Sequence, residues 1–470
     1  MLSAHGGRAH DRMLSFAARC PSRCSTASTM ARSPHRWHRF DARPSHHNPR
    51  VRCPEPVPGV INASDRHPFP LERVMWKKLC YLLAIALPAP ATWAETVPEF
   101  SWDAVQIDRI DIGYGLALDD VNGDGKTDIV LADQHTVQWY ENPTWTKHVI
   151  ARDLTKRDNV CVAARDIDGD GKCEIAVGGQ WNYNESVKDG AVFYLIPPED
   201  RTQPWKPVRL HNEPSVHRMH WIRAPGEQYR LVVKPLRGRG SVDGNGPGLH
   251  VLEYFPPTDP TEPWDYRVVC DFLHLSHNFH LVNWDQDDEE EMIIAAKEGV
   301  WHFDRQGDTW QSQQLTDKFA GEIRDGRLPG GKRFIAAVEP KHGATCAVYT
   351  QPDSPDQLWP SLKVLDESLK DGHALACADF LGVGSDQVLV GWRAMNTPGV
   401  PGIKLFSPLN DSGTEWAETR ISGEQVAVED IKVGDLNGDG RIDIVAAARQ
   451  TKNLVIFFNT TDPASAQGGQ

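Results

Sequence analysis

The amino-acid sequence predicts an all-β fold, and more specifically a seven-bladed β-propeller. A tryptophan followed five residues later by an aliphatic residue occurs seven times, from Trp102 to Trp416, at intervals of 43–60 residues. Between the copies lie short runs such as "DIVLAD", "EIAVGG" and "QVLVGW", rich in β-forming residues and flanked by Gly, Asn, Asp or Pro. No long helical periodicity intervenes. Seven units of about four strands each are typical of a propeller.

The two ends of this repeat predict how the ring closes. The first tryptophan copy, "SWDAVQI" at 101–107, has no strands of its own before it. The last unit ends after "NLVIFFN" without a tryptophan copy. We therefore expect residues 101–107 to form the outer strand of the last blade. Closure of this kind removes exposed sheet edges, which invite aggregation.

The N-terminal segment differs in composition from the rest of the chain. Residues 1–74 are rich in Arg and His, contain no Lys and show no apolar periodicity. Then follow Lys77 and Lys78, an apolar core at 79–87 and the sequence "TWA" at 92–94. This is the order of features in a secretory signal peptide, and the apolar core is too short to span a membrane.

These features predict the division of the chain. We expect a start-site artefact or disordered extension at 1–74, a signal peptide at 75–94, the propeller at 95–460 and a disordered tail at 461–470. The protein should then be secreted or periplasmic, without a membrane span. The net charge of −14 argues against nucleic acid or an anionic membrane as partner. The cysteines after the signal are scattered and odd in number, so no disulfide framework is predicted.

Three loops with alternating oxygen-bearing side chains predict calcium sites. Each has Asp or Asn at positions 1, 3 and 5, Gly at position 6, and an acid at position 9 before a strand-like run. The residues are Asp120, Asn122, Asp124 and Asp128; Asp166, Asp168, Asp170 and Glu174; and Asp435, Asn437, Asp439 and Asp443. Calcium takes six to eight oxygen ligands around a tight turn. We expect a structural Ca²⁺ to brace each turn between the first and second strands of a blade. The alternative is an Asp/Gly turn that needs no ion.

A fourth loop has the same register with one change. Asn283, Asp285, Asp287 and Glu291 fall at positions 1, 3, 5 and 9, but Asp288 replaces the glycine. We expect a calcium site here also, built from an incomplete copy of the pattern.

A set of polar residues precedes these loops at a fixed distance. The sixth residue before position 1 is Tyr114 in blade 1, His277 in blade 4, His373 in blade 6 and Glu429 in blade 7; a degenerate loop in blade 3 gives His217. This position begins the innermost strand, which lines the central channel of a propeller. Core strands rarely begin with ionisable residues unless these are paired or functional. We therefore expect a site on the axis.

The axial histidines have three interpretations. His217, His277 and His373 can bind a transition metal, by preference a zinc-like ion. They can form a metal-free acid–base cluster. They can also cap their own strands and face channel water.

Three neighbouring residues extend this prediction. Arg218 offers a contact for an anion or a carbonyl group, and blade geometry brings His342 near the axis. His280 follows His277 by an odd number of residues, so on a strand it is expected to face away from the channel.

Two resemblances to known families follow from these motifs. The loops and the "QWYENP" strand resemble the FG-GAP/VCBS repeat family of propellers, which includes adhesins, integrin-like heads and secreted enzymes and therefore implies a fold. The motifs "SVHRMHW", "LHLSHNF", "EPKHGATCAVYTQP" and "DGHALACADF" resemble, in the same order, the propeller domain of aldos-2-ulose dehydratase. The similarity covers most of 114–406. The cupin domains of that family have no counterpart in this sequence, so an isomerase step is not implied.

The second resemblance implies a carbohydrate-active lyase with a small keto-sugar substrate of the aldos-2-ulose or 1,5-anhydrofructose type. Dehydration beside a ketone needs abstraction of a C–H proton, stabilisation of the enolate and protonation of the leaving hydroxyl. A metal ion on the axial histidines would polarise the carbonyl. One of the residues His217, His277, His342 and His373 would be the base, and Tyr114 or Glu429 would protonate the leaving oxygen. The alternative is a non-catalytic, calcium-stabilised propeller that binds a glycan or a protein.

Overall fold

The computed structural model describes residues 99–307, 309–394 and 400–462, and all regular secondary structure in these ranges is β-strand. The strands form seven four-stranded antiparallel sheets arranged as the blades of a ring, so the predicted seven-bladed β-propeller is confirmed. The described residues include no helix long and apolar enough to cross a membrane. The expectations for 1–74, for the signal peptide at 75–94 and for most of the tail at 461–470 lie outside the described residues.

The first four blades follow one another along the chain, each from an inner to an outer strand. Blade 1 comprises β2 (Gly115–Asp119), β3 (Asp128–Ala132), β4 (Thr136–Glu141) and β5 (Thr146–Arg152). Blade 2 comprises β6 (Cys161–Arg165), β7 (Glu174–Gly179), β8 (Ala191–Ile196) and β9 (Lys206–Leu210). Blade 3 comprises β10 (Val216–Ala224), β11 (Gln228–Pro235), β12 (Val251–Phe255) and β13 (Asp265–Cys270). Blade 4 comprises β14 (Phe279–Val282), β15 (Glu291–Ala296), β16 (Gly299–Gln306) and β17 (Thr309–Gln314).

The last three blades complete the ring. Blade 5 comprises β18 (Glu322–Arg327), β19 (Arg333–Glu339), β20 (Thr345–Thr350) and β21 (Ser361–Asp366). Blade 6 comprises β22 (Gly372–Ala378), β23 (Gln387–Trp392), β24 (Gly402–Pro408) and β25 (Trp416–Ser422). Blade 7 comprises β26 (Val428–Gly434), β27 (Asp443–Ala448), β28 (Asn453–Asn459) and, as its outer strand, β1 (Trp102–Arg109).

The pairing of β1 with β28 closes the ring, as the sequence predicted. Trp102 lies opposite Asn459 and Arg109 opposite Asn453. The backbone N–H of Thr460 also donates to the carbonyl of Ser101 at 2.9 Å. The closing strand continues two residues beyond the predicted end.

The repeated tryptophans mark the outer strands and pack between blades. Trp205, Trp264 and Trp359 are nearly buried, at 3%, 8% and 6% exposure. The indole N–H of Trp205 donates to the carbonyl of Arg201, and that of Trp264 to the carbonyl of Pro260, both at 3.1 Å. The indoles of Trp205 and Trp264 therefore bury apolar area while their one donor is satisfied within the turn that precedes the strand.

The hairpin geometry divides the ring into two faces. In each antiparallel blade, the beginning of the first strand lies beside the end of the second; Gly372, for example, pairs with Trp392. We call this side the upper face. The loops between first and second strands, which include 120–128, 166–174 and 435–443, lie at the opposite end of the strands, on the lower face. The expected axial residues and the expected calcium loops are therefore on different faces.

Candidate functional site

Four histidine side chains meet on the axis at the upper face. The ring centroid of His277 lies 4.7 Å from that of His217, 4.4 Å from that of His342 and 4.7 Å from that of His373. His342 and His373 are 4.6 Å apart. Ring nitrogens of His277, His342 and His373 lie within 4.8 Å of one another. The structure thus brings together all four histidines singled out in the sequence, from blades 3, 4, 5 and 6.

Several nitrogens of this cluster have no hydrogen-bond partner among the described residues. They are both ring nitrogens of His217, Nε2 of His277 and Nε2 of His342, and all four atoms are buried. A buried polar atom without a partner costs free energy, and groups of this kind call for an explanation such as a bound ion or a catalytic role. These four nitrogens are therefore available to a ligand or an ion.

His277 is oriented by a buried carboxylate. Its Nδ1 lies 2.6 Å from Oε1 of Glu322, and the amide of Asn278 donates to Oε2 of the same residue at 2.6 Å. Because a carboxylate accepts this bond, the imidazole carries its hydrogen on Nδ1, and its Nε2 lone pair points into the cluster. This carboxylate–histidine arrangement is the usual support of a metal-binding histidine.

His373 is oriented in the same sense by a backbone group. Its Nδ1 lies 2.6 Å from the carbonyl oxygen of Glu429. A carbonyl only accepts hydrogen bonds, so Nδ1 donates and Nε2 keeps a lone pair.

His342 has the opposite tautomer. A guanidinium N–H of Arg393 donates to its Nδ1 at 3.2 Å. Since a guanidinium has no acceptor, Nδ1 accepts in this contact, which puts the hydrogen of the neutral ring on Nε2. Asp371 Oδ1 lies further from Nδ1, at 3.5 Å. His342 also has a left-handed backbone, with a φ of 51°, a strained conformation that is frequent at functional sites. Its side chain is 26% exposed, so it forms the accessible edge of the cluster.

Arg393 is held by two acids. It donates to both carboxylate oxygens of Asp371 at 3.1 Å and to Oε2 of Glu429 at 2.8 Å. Burial alone would lower the pKa of Arg393, but Glu429 and Asp371 raise it above its ordinary value. Glu429 also accepts from Arg449 at 3.0 Å, so each of its oxygens is occupied by a guanidinium.

Tyr114 joins the site through this network. The guanidinium of Arg449 lies over its ring, 5.1 Å from the centroid, and its hydroxyl donates to Asp158 at 3.0 Å. Burial raises the pKa of Tyr114, so the phenol remains protonated.

The electrostatic environment keeps the four imidazoles neutral. Burial, reinforced by nearby cations, lowers the pKa of His217, His277, His342 and His373 well below the ordinary value. Lys341 lies beside His342 in the turn between β19 and β20. Burial, with Arg237 and Arg393 nearby, lowers the pKa of Lys341 to about 8.

Aromatic side chains border the cluster. The ring of Trp181 lies 4.8 Å from that of His217. Tyr183, two residues further along, is 48% exposed, and the Lys341 ammonium lies 5.0 Å from its ring centroid. The upper face thus offers flat apolar surface next to polar groups.

The lower-face loops lie where the sequence placed them, between first and second strands. In blade 2, carboxylate oxygens of Asp166, Asp168 and Glu174 lie within 4.8 Å of one another. In blade 4, Asp285 and Glu291 form such a group with Asp304 of β16, a residue the sequence pattern did not reveal.

The loops of blades 1 and 7 share the backbone contacts of the blade 2 loop, in which Asp166 accepts from Gly169 and Gly171, but they also pair the aspartate at position 5 with the basic residue at position 7. Asp120 accepts the backbone N–H groups of Gly123 and Gly125, both at 2.7 Å, and these glycines have φ values of 82° and 79° that favour glycine. Asp124 is paired with Lys126 at 2.7 Å. In blade 7 Asp435 accepts from Gly438 and Gly440 in the same way, and Asp439 is paired with Arg441.

One orientation predicted from the sequence is wrong. His280 was expected to face away from the channel, but it lines a cavity on the axis. The reason is that β14 begins at Phe279, so His277 lies before the strand and the two-residue alternation does not relate the two side chains.

Sequence reasoning missed the supporting residues Glu322, Asp371, Arg393 and Arg449. Arg393 and Arg449 each directly follow a second strand, β23 and β27. Because second strands end on the upper face, a charged residue right after an apolar strand run was the available signal.

Comparison with known proteins adds the following. The FG-GAP-like repeat family matches residues 120–177. No curated protein sequence matches the chain. Among solved structures, a chain of the mitotic checkpoint complex aligns with 13% identity and a TM-score of 0.47, covering 82% of this chain and 100% of that one. BBS1N in complex with ARL6DN aligns with 13% identity and a TM-score of 0.46, covering 76% and 96%. An Agrocybe aegerita lectin specific for non-reducing terminal N-acetylglucosamine aligns with 15% identity and a TM-score of 0.39, covering 68% and 80%.

Proposed function

We propose that the protein is a carbon–oxygen lyase that removes water from a keto-sugar of the aldos-2-ulose or 1,5-anhydrofructose type. The observation that carries the proposal is the convergence of His217, His277, His342 and His373, with ring nitrogens that no described protein group satisfies. A surface that only binds a partner has no need of buried, unpartnered imidazoles.

We assign a divalent ion such as zinc to His277 and His373, together with His217, whose ring lies 4.7 Å from that of His277. The three ring nitrogens that lie within 4.8 Å of one another are those of His277, His342 and His373, so His342 borders the same position. Three imidazoles with one open position form a common catalytic zinc site. His277 and His373 direct an Nε2 lone pair inward, and both nitrogens of His217 are without partners. A bound ion would supply a Lewis acid for the keto oxygen.

His342 is the candidate hydrogen-bond donor to the leaving hydroxyl. Its hydrogen is on the unpartnered Nε2, because Arg393 occupies Nδ1. Glu429 suits this role less well, since a guanidinium group occupies each of its carboxylate oxygens. The hydroxyl hydrogen of Tyr114 is engaged with Asp158. We therefore assign to the Nε2–H of His342 the hydrogen bond to the leaving hydroxyl, which departs as water with the proton that Lys341 removes from carbon.

Lys341 is the candidate base. Its pKa of about 8 leaves an appreciable neutral fraction near pH 7, and an amine of this kind is suited to abstract the proton next to a ketone. Trp181 and Tyr183 lie on the same face and offer a surface for the apolar side of a sugar ring.

The remaining parts of the proposal concern stability and location. We propose that the lower-face loops hold structural Ca²⁺, supported by the carboxylate groups of blades 2 and 4. We also propose that the protein is secreted or periplasmic, supported by the signal-like sequence before the propeller.

The decisive experiment is a screen of keto-sugars for a new ultraviolet enone band. His277→Gln and His342→Gln should each abolish the product, whereas His135→Ala, an exposed histidine on the upper face of blade 1, should not. If no keto-sugar gives an enone, the lyase assignment fails and a non-catalytic glycan- or protein-binding propeller takes its place.

Metal analysis separates the two histidine roles. After calcium is removed with a calcium-selective chelator, His342→Gln should retain zinc, because its Nε2 carries a hydrogen. His277→Gln should lose it. Equal zinc content in both variants would overturn the assignment of His342 as a hydrogen-bond donor that is not a zinc ligand.

A further inference from the structure

The central channel continues below the histidine cluster into a second cavity. This cavity has a volume of about 380 Å³ and includes none of the four clustered histidines. Its walls are partly apolar, for example Leu116 and Leu118, and partly basic, with Arg165, Arg324 and Lys432. A volume of this size accommodates a small molecule.

Arg324 of β18 faces this cavity without an acidic partner. Among the described residues, the guanidinium of Arg324 has one hydrogen-bond acceptor, the carbonyl of the preceding residue Ile323, to which Nη1 donates at 2.5 Å. In the described part of the chain no carboxylate forms an ion pair with it, although a guanidinium carries five N–H donors. Arg324 lines the cavity, and its other donors have no partner among the described residues.

Arg218 of β10, on the upper side of the cavity, is also a buried arginine without an acidic partner among the described residues. It is 9% exposed, and its Nη1 donates to the carbonyl of His217 at 2.9 Å. No carboxylate in the described residues pairs with it. Arg218, Arg324 and Lys432 all line a narrow waist of about 20 Å³, room for about one water-sized species, above the larger cavity.

The acids near the channel already have hydrogen-bond donors, and one of them, Asp430, itself lines the waist and pairs with Lys432 at 3.2 Å. Asp430 accepts from the backbone N–H groups of Leu116 and Ile431 and from Lys432. Glu322 accepts from His277 and Asn278, as described above.

The other two acids are engaged as well. Asp325 accepts from Trp284 at 3.0 Å and lies 3.4 Å from Nε2 of His280. Glu290 pairs with Arg165 at 2.7 Å. Arg218 and Arg324 thus form no ion pair with a carboxylate among the described residues, and the charge of Glu322 acts on both only from a longer distance. A buried charge without a paired counter-ion is unfavourable.

The neighbouring side chains respond to this excess of positive charge. Burial lowers the pKa of Lys432, and the charge of Arg324 lowers it further, against the opposing effect of Asp430. Burial and the same cations lower the pKa of His220 well below its ordinary value. A bound anion would relieve this repulsion.

We propose that the central channel holds a small oxyanion, phosphate or the carboxylate of a sugar acid, between Arg324 and Lys432, with Arg218 contacting it across the waist. Guanidinium groups match oxyanions because they donate two parallel hydrogen bonds. This site is independent of the proposed dehydration, because it uses none of the four clustered histidines and lies further along the axis.

The test is calorimetric titration with two probes, inorganic phosphate and glucuronate, at low ionic strength. The wild-type chain should bind at least one of them, and Arg324→Gln and Lys432→Gln should each weaken binding at least tenfold. Arg109→Gln, which removes an exposed arginine on the outer strand β1, should not change it. Tighter binding of glucuronate than of phosphate would identify a sugar acid as the ligand. Tighter binding of phosphate would identify an inorganic oxyanion.

Two further measurements distinguish binding in the channel from binding at the histidine cluster or at the surface. His277→Ala should bind phosphate as the wild type does; loss of binding would place the anion at the histidine cluster and overturn the proposal. A crystal soaked in selenate should show anomalous density between Arg324 and Lys432. Three results would each refute the channel site. The first is that the wild type binds neither probe, and the second is that folded Arg324→Gln binds with unchanged affinity. The third is that selenate density appears only at the surface, which would mean an adventitious ion only.

Discussion

His277 Nδ1 and Glu322 Oε1 are joined at 2.6 Å, and both side chains are 1% exposed. His277 precedes the inner strand of blade 4 and Glu322 begins that of blade 5, so this contact sets the ring orientation across a blade boundary.

The first prediction concerns that contact. Glu322→Gln should weaken zinc binding about 10–100-fold, because supporting partners of this type affect metal affinity by that amount. The measurement is a competition titration with a chromogenic zinc chelator. The matched control is Glu298→Gln, which alters a similar but half-exposed pair with His274 at 2.7 Å. An equal loss of affinity in both variants would contradict a specific role for Glu322.

Calcium removal should lower the melting temperature. An ion that binds only the folded chain stabilises it by about 2.7 kcal/mol at a hundredfold excess over its dissociation constant. Asp168→Asn should reduce this response, because Asp168 belongs to the carboxylate group of blade 2. Asp200→Asn, in an exposed turn of the same blade, should not. Identical calorimetric scans with and without chelator would mean that the loops need no ion.

Glu253 should make stability depend on pH. This buried residue of β12 in blade 3 accepts from Arg267 and from two residues of blade 4, Arg305 and Trp310. Burial would raise the pKa of Glu253, but these donors outweigh it and lower the pKa. Its contribution is therefore complete above the ordinary value of about 4.3 and is lost as pH falls through the lowered value.

The corresponding variant is Glu253→Gln. It should cost about 3–5 kcal/mol of unfolding free energy at neutral pH, because it breaks a buried ion pair. Its difference from the wild type should shrink below about pH 4. Glu418→Gln, which alters an exposed pair with Lys404, should cost at most about 1 kcal/mol. Urea unfolding at several pH values measures the free energy of unfolding of both variants. A pH-independent difference would exclude this linkage.

The closing strand β1 should contribute to the free energy of unfolding through one tryptophan. Trp102 contacts the ring of Phe380 from blade 6, with centroids 6.0 Å apart. Trp102→Ala should cost about 3 kcal/mol, toward the lower end for a large-to-small change because the side chain is only partly buried. Asp103→Ala, on the exposed side of the strand, should be nearly neutral. Chemical denaturation compares them, and equal stability of the two variants would count against this role of β1.

The sequence was sufficient for the fold and for the positions of the four histidines. Strand periodicity and the loop register repeat in most blades, so His217, His277 and His373 could be located by counting from the loops. The orienting groups could not be located in this way. Arg393 and Asp304 lie outside the repeated register, and Glu322 is an inner-strand residue of blade 5, where the loop pattern is missing. The tautomer of His342 depends on a contact with Arg393, 51 positions away in the chain, and no local pattern encodes it.

The closure of the ring also sets the order in which the protein can fold. Ser101 and Thr461 are hydrogen bonded although 360 residues separate them. As the chain is synthesised, β1 emerges before every other strand of the ring but cannot pair until β28 has followed. The entropic cost of so long a loop is modest, since each doubling of length adds only about 0.6 kcal/mol. The risk during synthesis is therefore the time for which β1 remains unpaired and can associate with other chains. The exposed polar residues of β1, such as Asp103 and Arg109, oppose that association.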